Sequence, residues 1–341
     1  MKMKFIYAIL LLLLASNGAF AQEEGTTGST HLLVPTTART IGIGTVATVG
    51  LKGMNPIEAL GGNPSGLAEN TGTAVLFSRM NYVADIGINA FGVAQNFGTR
   101  SAALTFSNFN FGEISRQTGD APEVQDGITY SAATTVIGLA YARQLTDRIS
   151  TGFSLKMSNE TIDDLSQSRI TVDGGMTYTV GESGLKFGVA LLNFGSKSTF
   201  SGDGLVRFAQ DPTQPSNTAK TPYRIAADEF ESPATLSFGA AYSKSLAGSM
   251  KATLVGNFRS TSLGPDVFTG GLELGFQNLV MVRVGYQAAN QTDASMFTGV
   301  SMGGGVNIDL KGFQATVDYA YRATNYSGLG APQTITVGLK F

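Results

Sequence analysis

Regular alternation of apolar and polar residues is the feature that most constrains the fold of this chain. From Thr73 onward the pattern has a period of two, in segments of roughly ten residues. The last segment has Ile335, Val337, Leu339 and Phe341 on one face and Thr334, Thr336, Gly338 and Lys340 on the other. Since successive side chains of a strand point to opposite faces, each segment predicts a β-strand with one apolar face, as in transmembrane barrels.

The connections between the segments predict a closed barrel. Fourteen segments can be counted, and every second connection is tight, such as Gly98-Thr99-Arg100, while the others are mostly longer, such as 163–168 and the longest, 200–231. Short turns alternating with long loops are typical of outer-membrane barrels, and closure leaves no unpaired strand edge in lipid. We therefore predict an all-β fold, a transmembrane antiparallel up-and-down β-barrel of about 14 strands with a short N-terminal plug or hatch segment.

Composition bears on the alternatives. Only 14% of the residues are charged, against about 25% in an average globular chain. A soluble β-sandwich or lipocalin-like barrel also alternates, but these segments are longer than the roughly five or six residues of a typical soluble strand. The net charge of −2 does not favour nucleic acid as a partner, and the absence of Cys excludes disulfides and cysteine nucleophiles.

The N-terminus carries an export signal. Two lysines and an apolar run from Phe5 to Leu14 precede Ala19-Phe20-Ala21, a small-x-small cleavage site. This pattern predicts a cleaved secretory signal peptide, since the apolar run is too short to span about 30 Å of hydrocarbon. The expected parts are a signal peptide at 1–21, an N-terminal periplasmic or plug segment at 22–72, and an outer-membrane β-barrel at 73–341.

The last residue is the expected assembly signal. Phe341 is an aromatic residue that closes an alternating strand. Bacterial barrel-assembly machinery commonly recognises such a terminal aromatic. We therefore expect that machinery and outer-membrane lipid as partners, and the bacterial outer membrane as the location.

The segment before the barrel carries the most specific motifs. Asn63-Pro64 starts a turn, Gly66 permits positive φ, and small residues allow close packing inside a lumen. Asn55 and Pro56 predict the start of a short helix over 56–60. A plug inside the barrel and an ordinary periplasmic linker are both compatible with the segment. The candidate plug residues are Ala38, Arg39, Gly42, Gly44, Asn63, Pro64 and Gly66.

These motifs carry a resemblance to a known family. ARxxGxG followed by NPSGLA resembles the start of PorV/PorQ proteins, outer-membrane barrels that are similar to the long-chain fatty-acid transporter FadL. The resemblance continues in FGVALLNFG at 187–195, SPATLSFGAAY at 232–242 and GGLELGFQNLVMVRVGYQ at 270–287. It implies a fourteen-stranded barrel with an inward N-terminal segment. The best-known members serve the type IX secretion system, whereas FadL-type relatives move hydrophobic molecules through a lateral opening.

Charged residues on the polar faces are expected to line the lumen. Structural ion pairs are one interpretation, because a plugged barrel would bury such pairs, and a selectivity lining is the other. The residues are Asp173, Lys186, Arg259, Arg283, Asp318 and Arg322. His31 is the only histidine, so we expect no catalytic residue, metal site or cofactor, and no enzyme activity.

The longest insertion, 200–231, is expected to form a partner-contacting cap anchored by Phe208 and Tyr223. The main functional hypothesis is an accessory role in type IX secretion or surface attachment, with secretion components or cargo as partners. The alternative is a FadL-like uptake channel with a hydrophobic ligand. The mixed composition of the lumen-facing residues does not separate the two hypotheses.

Overall fold

The computed structural model describes residues 28–45, 48–116, 128–210, 213, 219–246, 248–262, 264–290, 297–310, 312–325 and 328–341. The predicted signal peptide, its cleavage site and residues 22–27 lie outside the described residues, so they stay predictions. No helix among the described residues is long and apolar enough to cross a membrane.

The described residues form a barrel of strands around a short, mostly helical segment. The strands are β1 (Thr73–Asn81), β2 (Gly87–Asn96), β3 (Arg100–Ser115), β4 (Thr129–Gln144), β5 (Ile149–Ile162), β6 (Leu165–Thr179), β7 (Leu185–Gly195), β8 (Ser201–Gly202), β9 (Val206–Ala209), β10 (Thr221–Arg224), β11 (Thr235–Ser245), β12 (Met250–Thr261), β13 (Val267–Phe276), β14 (Val280–Ala289), β15 (Gly299–Leu310), β16 (Phe313–Arg322) and β17 (Gln333–Lys340). The α-helices are α1 (Ala38–Gly42) and α2 (Pro56–Ala59), and the 3-10 turns are Thr30–Leu33, Pro64–Glu69, Val83–Asp85 and Asp203–Leu205.

Fourteen of these strands close into one antiparallel barrel. Each barrel strand pairs with its neighbours in sequence, and β7 pairs with β11 across the long insertion. β1 closes the ring against β17, with Phe77 opposite Val337. β8 extends β6, and β9 pairs with β10 in a separate hairpin. The predicted fold class is confirmed.

One predicted loop is wrong. The connection placed at 163–168 is a two-residue turn, because Ile162 pairs directly with Leu165. Asp163 adopts a left-handed conformation with φ 53°. Asp tolerates this region because its short side chain bonds locally, so a two-residue turn forms and β6 begins earlier than predicted.

The two faces of the barrel reverse the usual arrangement of a soluble protein. Leu139 and Leu254 on the outer face are 58% and 57% exposed, while Thr171 and Asp173 on the inner face are each 1% exposed. A continuous apolar exterior around a polar interior requires lipid rather than water outside. The alternation therefore belongs to a transmembrane barrel, and the soluble sandwich is excluded.

Residues 28–45 and 48–72 lie inside this barrel. Of these, Ala38, Ile43 and Leu67 have no exposed surface. Gly28 lies beside Phe230 at the end that carries the long insertion (the loop end), and Thr73 enters β1 at the end with the short turns (the turn end). The segment thus runs along the lumen, as the plug interpretation requires and the linker interpretation does not.

The predicted helix cap in this segment is confirmed. Asn55 precedes α2 and its side chain accepts a hydrogen bond from the Ile57 amide at 3.1 Å, with Pro56 at the first helical position. Satisfying an amide that has no partner within the helix allows a helix of one turn to form in the lumen.

Candidate functional site

Arg39 ties the lumenal segment to the barrel wall. α1 points its guanidinium at Glu273 on β13, with Nε–Oε2 and Nη2–Oε1 distances of 3.0 and 2.8 Å. Arg283 donates to the same carboxylate at 2.6 Å and also pairs with Asp318. Four buried charges therefore balance in one network, which offsets the cost of removing them from water.

Glu58 of α2 lies beside this network. Its Oε2 atom is enclosed and has no hydrogen-bond partner among the described residues. Burial, aided by the nearby Asp318 carboxylate, raises the pKa of Glu58 to about 7, although Arg39 and Arg283 act in the opposite direction. Near neutral pH this carboxyl group is therefore balanced between its two protonation states.

Glycines allow the segment to touch the wall. Gly44 has φ 86°, a left-handed conformation, and its backbone lies against Gly285 of β14. A Cβ atom on Gly285 would approach the Gly44 nitrogen to 2.2 Å, and one on Gly42 would lie 3.1 Å from Gly303. The predicted close packing of Gly42 and Gly44 agrees with these contacts.

Gly66 serves a different purpose from the one predicted. Its φ is not positive, so the expected left-handed turn is wrong. A Cβ atom there would lie only 2.4 Å from that of Ala59 in α2. Glycine is needed because the two short helical elements touch at this point.

Asn63 organises the second motif. Its fully buried side chain accepts from the Ser65 amide at 3.0 Å and donates to the Thr48 carbonyl at 2.7 Å. The following Pro64 backbone packs on Gly152 of β5, where a Cβ atom would come within 2.3 Å. The Asn63-Pro64 pair therefore joins the lumenal segment to the opposite wall.

A second polar cluster holds the segment at the loop end. The His31 ring packs on Phe109 at 5.5 Å, and its Nδ1 lies 3.7 Å from Glu160. Arg169 on β6 donates to the Phe230 carbonyl at 2.9 Å. Burial lowers the pKa of His31 to about 4, with Glu160 opposing and Arg169 adding to the effect. The described residues contain no cluster of His, Asp or Glu suited to a metal ion.

The six predicted lumenal charges divide into two groups. Asp173 pairs with Lys156 at 2.9 Å, Lys186 pairs with Glu69, and Arg283 pairs with Asp318. For these four residues the ion-pair interpretation is confirmed. Arg259 and Arg322 pair with no carboxylate in the described part of the chain.

A cavity of about 170 Å³ lies between the lumenal segment and the wall. Its apolar lining includes Leu33, Val34, Ile57, Leu76, Phe109 and Val136. Its polar lining includes Thr40, Thr45, Glu58, Lys156, Asp173 and Arg259. An apolar protein cavity of about 150 Å³ accommodates benzene, so this space suits a molecule with one aromatic ring.

A larger pocket of about 550 Å³ lies under the long insertion at the loop end. The rings of Phe200 and Phe230 meet edge to face with centroids 6.0 Å apart. The pocket is lined by Ile162, Leu165, Phe200, Leu205, Ala227, Asp228, Glu229 and Phe230. It presents a mostly apolar surface at the loop end of the barrel.

The predicted cap residues lie outside both cavities. Phe208 and Tyr223 sit on the β9–β10 hairpin, opposite Pro222 and Arg207, and are 65% and 44% exposed. Phe341 lies at the turn end beside Phe313, and its amide donates to the Thr73 carbonyl at 2.8 Å. The functions predicted for these three residues stay predictions.

Several contributors to the site were missed at the sequence level. Glu273 and Gln287 lie on inward faces, where the alternation would have placed them, but Glu58 belongs to no strand. Phe200 and Phe230 stand thirty positions apart in the insertion. Only the observed Ser198–Phe230 bridge brings them together, and no sequence pattern marks it.

Comparison with known proteins identifies the fold. No protein-family model and no curated protein matches the sequence. Solved structures do match. The toluene transporter TbuX of Ralstonia pickettii aligns with a TM-score of 0.55 and 10% identity, over 89% of this chain and 97% of that chain. The toluene transporter TodX of Pseudomonas putida aligns with 0.53 and 13%, over 94% and 98%.

The monoaromatic hydrocarbon channel CymD aligns with a TM-score of 0.53 and 10% identity, over 91% of this chain and 98% of that chain. Identities this low establish the fold alone. The fold is that of the FadL-like fourteen-strand barrels. The more specific PorV/PorQ resemblance has no family match behind it and stays a prediction.

Proposed function

We propose that this protein is an outer-membrane channel for the uptake of small hydrophobic molecules, of about one aromatic ring in size. The observation that carries the proposal is the pair of cavities, a mostly apolar pocket of about 550 Å³ at the loop end and a partly apolar one of about 170 Å³ inside the lumen. Transfer of apolar surface from water into such pockets is favourable by about 25 cal/mol per Å².

The outer pocket and the inner cavity suit two successive binding steps of a hydrophobic molecule. The outer pocket is formed by the β5–β6 hairpin and the insertion, which lie above the end of the barrel. The inner cavity lies beneath residues 31–37 of the lumenal segment and against β1–β5. A hydrophobic molecule that leaves the outer pocket therefore has a second apolar surface available within the barrel. The structural neighbours named as toluene transporters and hydrocarbon channels support this function.

Uptake of radiolabelled toluene by cells that express the full chain tests the proposal. Leu165→Glu places a charge in the outer pocket, and Ala90→Phe fills the inner cavity. Both are expected to reduce uptake severalfold. Phe208→Glu, on the exposed hairpin, and Ala102→Phe, on the lipid face, are the matched controls and should leave uptake unchanged. Equal uptake by all variants and by cells without the protein would contradict the proposal.

A second candidate function is the accessory role in type IX secretion that the PorV/PorQ resemblance implies. The specific observation in its favour is the β9–β10 hairpin, whose Phe208, Tyr223 and Ile225 are 65%, 44% and 49% exposed. Exposed apolar side chains grouped on one element favour a protein contact. The solved-structure comparisons favour uptake, so the order of the two hypotheses is the reverse of the sequence-based order.

Affinity purification in a mild detergent separates the two functions. Stoichiometric secretion components that are lost from the Phe208→Ser/Tyr223→Ser variant would establish the accessory role. A lone barrel that carries a small hydrophobic molecule, with or without the hairpin substitutions, would support uptake.

A further inference from the structure

Arg322 is a buried cation without a counter-ion in the described part of the chain. It is 8% exposed at the loop end of β16. Its Nη2 donates to the Gln287 side-chain oxygen at 2.8 Å and to the Phe297 carbonyl at 3.3 Å. Neutral acceptors satisfy part of its hydrogen-bonding capacity, and no carboxylate among the described residues balances its charge. A buried charge of this kind is costly unless an opposite charge joins it.

Arg259 on β12 is partly buried and is a second cation without a carboxylate partner in the described part of the chain. Its Nε is enclosed and has no partner among the described residues. Arg259 lines the inner cavity together with Thr45, and Thr45 donates to Gln287 at 3.2 Å. Arg259 is also close enough to Arg322 for the two positive charges to repel each other. Two guanidinium groups without a carboxylate partner among the described residues therefore lie near each other, and that of Arg259 lines the cavity.

The other charges around the cavity do not balance these two. Asp173 forms an ion pair with Lys156 at 2.9 Å. Glu58 interacts instead with the charges of the Arg39 network. By contrast, Arg39 and Arg283, which are buried like Arg322, both have carboxylate partners. Within the described residues, the lack of a carboxylate partner thus distinguishes Arg259 and Arg322 from Arg39 and Arg283.

Aromatic side chains frame the same region. The Arg322 guanidinium lies over the Phe297 ring at 4.4 Å, and the Tyr82 and Phe297 centroids are 5.6 Å apart. The cavity of about 170 Å³, which Arg259 lines, offers apolar walls and the volume of one ring. The site therefore combines positive charge at one edge with flat and apolar surfaces beside it.

We propose that Arg259 and Arg322 bind the carboxylate of a small aromatic acid whose ring occupies the inner cavity. The proposal rests on the uptake function and names the substrate class within it, an aromatic carboxylate rather than a neutral hydrocarbon. The fork of donors on a guanidinium matches the two oxygens of a carboxylate, and the anion offsets one of the two positive charges. Binding also relieves their mutual repulsion, so the contact discriminates by charge.

Equilibrium dialysis of the purified full chain in detergent tests this inference, with radiolabelled benzoate and toluene as probes at pH 7.5. Arg259→Gln and Arg322→Gln are each expected to weaken benzoate binding by about tenfold or more, as for a lost charge-assisted hydrogen bond. Toluene binding should change by less than about twofold, which also shows that the variants are folded. Arg143→Gln, at an exposed arginine of β4, is the matched control and should bind both probes like the native chain.

The remaining outcomes are decisive in different ways. Toluene binding without benzoate binding, or benzoate binding that both glutamine variants retain, overturns the inference and leaves the uptake function intact. Failure of the native chain to bind either probe overturns both. A further outcome is that inorganic phosphate displaces benzoate as effectively as unlabelled benzoate does. That result would show a simple anion site and overturn the aromatic acid as ligand.

Discussion

Arg39 of the lumenal segment forms a two-pronged ion pair with Glu273 of the barrel wall, 234 positions away in sequence, at 2.8 and 3.0 Å. Glu273 is at the same time held by Arg283. The Glu273 carboxylate therefore binds one arginine from the lumenal segment and one from the sheet, and so links the two. It holds the lumenal segment against the barrel wall.

Arg39→Ala should loosen the lumenal segment. Removing one partner of a buried ion pair costs about 3–5 kcal/mol, and here Arg283 alone would face the carboxylates of both Glu273 and Asp318. Single-channel recording in planar bilayers is expected to show larger and more frequent conductance steps. Arg148→Ala, which removes an exposed pair with Asp147 at 3.6 Å, is the control and should behave like the native chain. Unchanged conductance of Arg39→Ala would show that other contacts suffice.

Gly285→Ala should displace the segment by steric contact. The added methyl group would meet the Gly44 backbone at 2.2 Å, and backbone cannot rotate away as a side chain can. Faster proteolysis of the segment in detergent is the expected result. Gly270→Ala on the adjacent strand β13 has open space around the new atom and serves as the control. Equal cleavage rates for the two variants would contradict the packing described above.

Glu58 should make docking of the segment weaker as pH rises. Burial raises its pKa to about 7 from the ordinary 4.5, so the docked state binds the proton more tightly than the released state. This contribution is fully present below pH 4.5 and is lost as pH rises through about 7, and its size is on the order of 3 kcal/mol.

Glu58→Gln keeps the shape of the side chain but cannot ionise. The conductance and the proteolysis rate of this variant should stay constant between pH 4.5 and 7. In the native chain both should rise over this range as the segment is released. If Glu58→Gln shows the same pH dependence as the native chain, another titrating group is responsible for it.

His31 should act in the opposite direction at lower pH. Its pKa is lowered to about 4 by burial, so the docked state favours the neutral ring. This stabilisation is present above the ordinary value of 6.5 and is lost as pH falls through about 4. His31→Phe preserves a ring against Phe109 without a titrating group. The variant should resist proteolysis near pH 4 better than the native chain, and equal cleavage there would refute the assignment.

Much of the fold follows from local pattern. The alternation around Ile335, Val337 and Phe341 assigns faces to a strand without knowledge of its neighbours, because side chains along a strand alternate by geometry. The cap at Asn55 and Pro56 is likewise local, since its donors and acceptors lie within two positions of each other. The turn at Asp163 and Asp164 was missed because a polar pair is equally compatible with a short turn and a longer loop.

The sequence by itself therefore determined the strand count, the inward and outward faces, and the presence of small and polar residues suited to a lumen. Only the tertiary structure decided which inward charges meet. Closure of the barrel brings Arg39 to Glu273 and Arg283 to Asp318, yet leaves Arg259 and Arg322 together without a carboxylate in the described residues. These outcomes depend on strand register and on the path of residues 28–72 through the lumen. Both are set by packing between distant segments, because the free energy of a buried charge depends on what lies within a few ångströms in space and not on its neighbours in sequence.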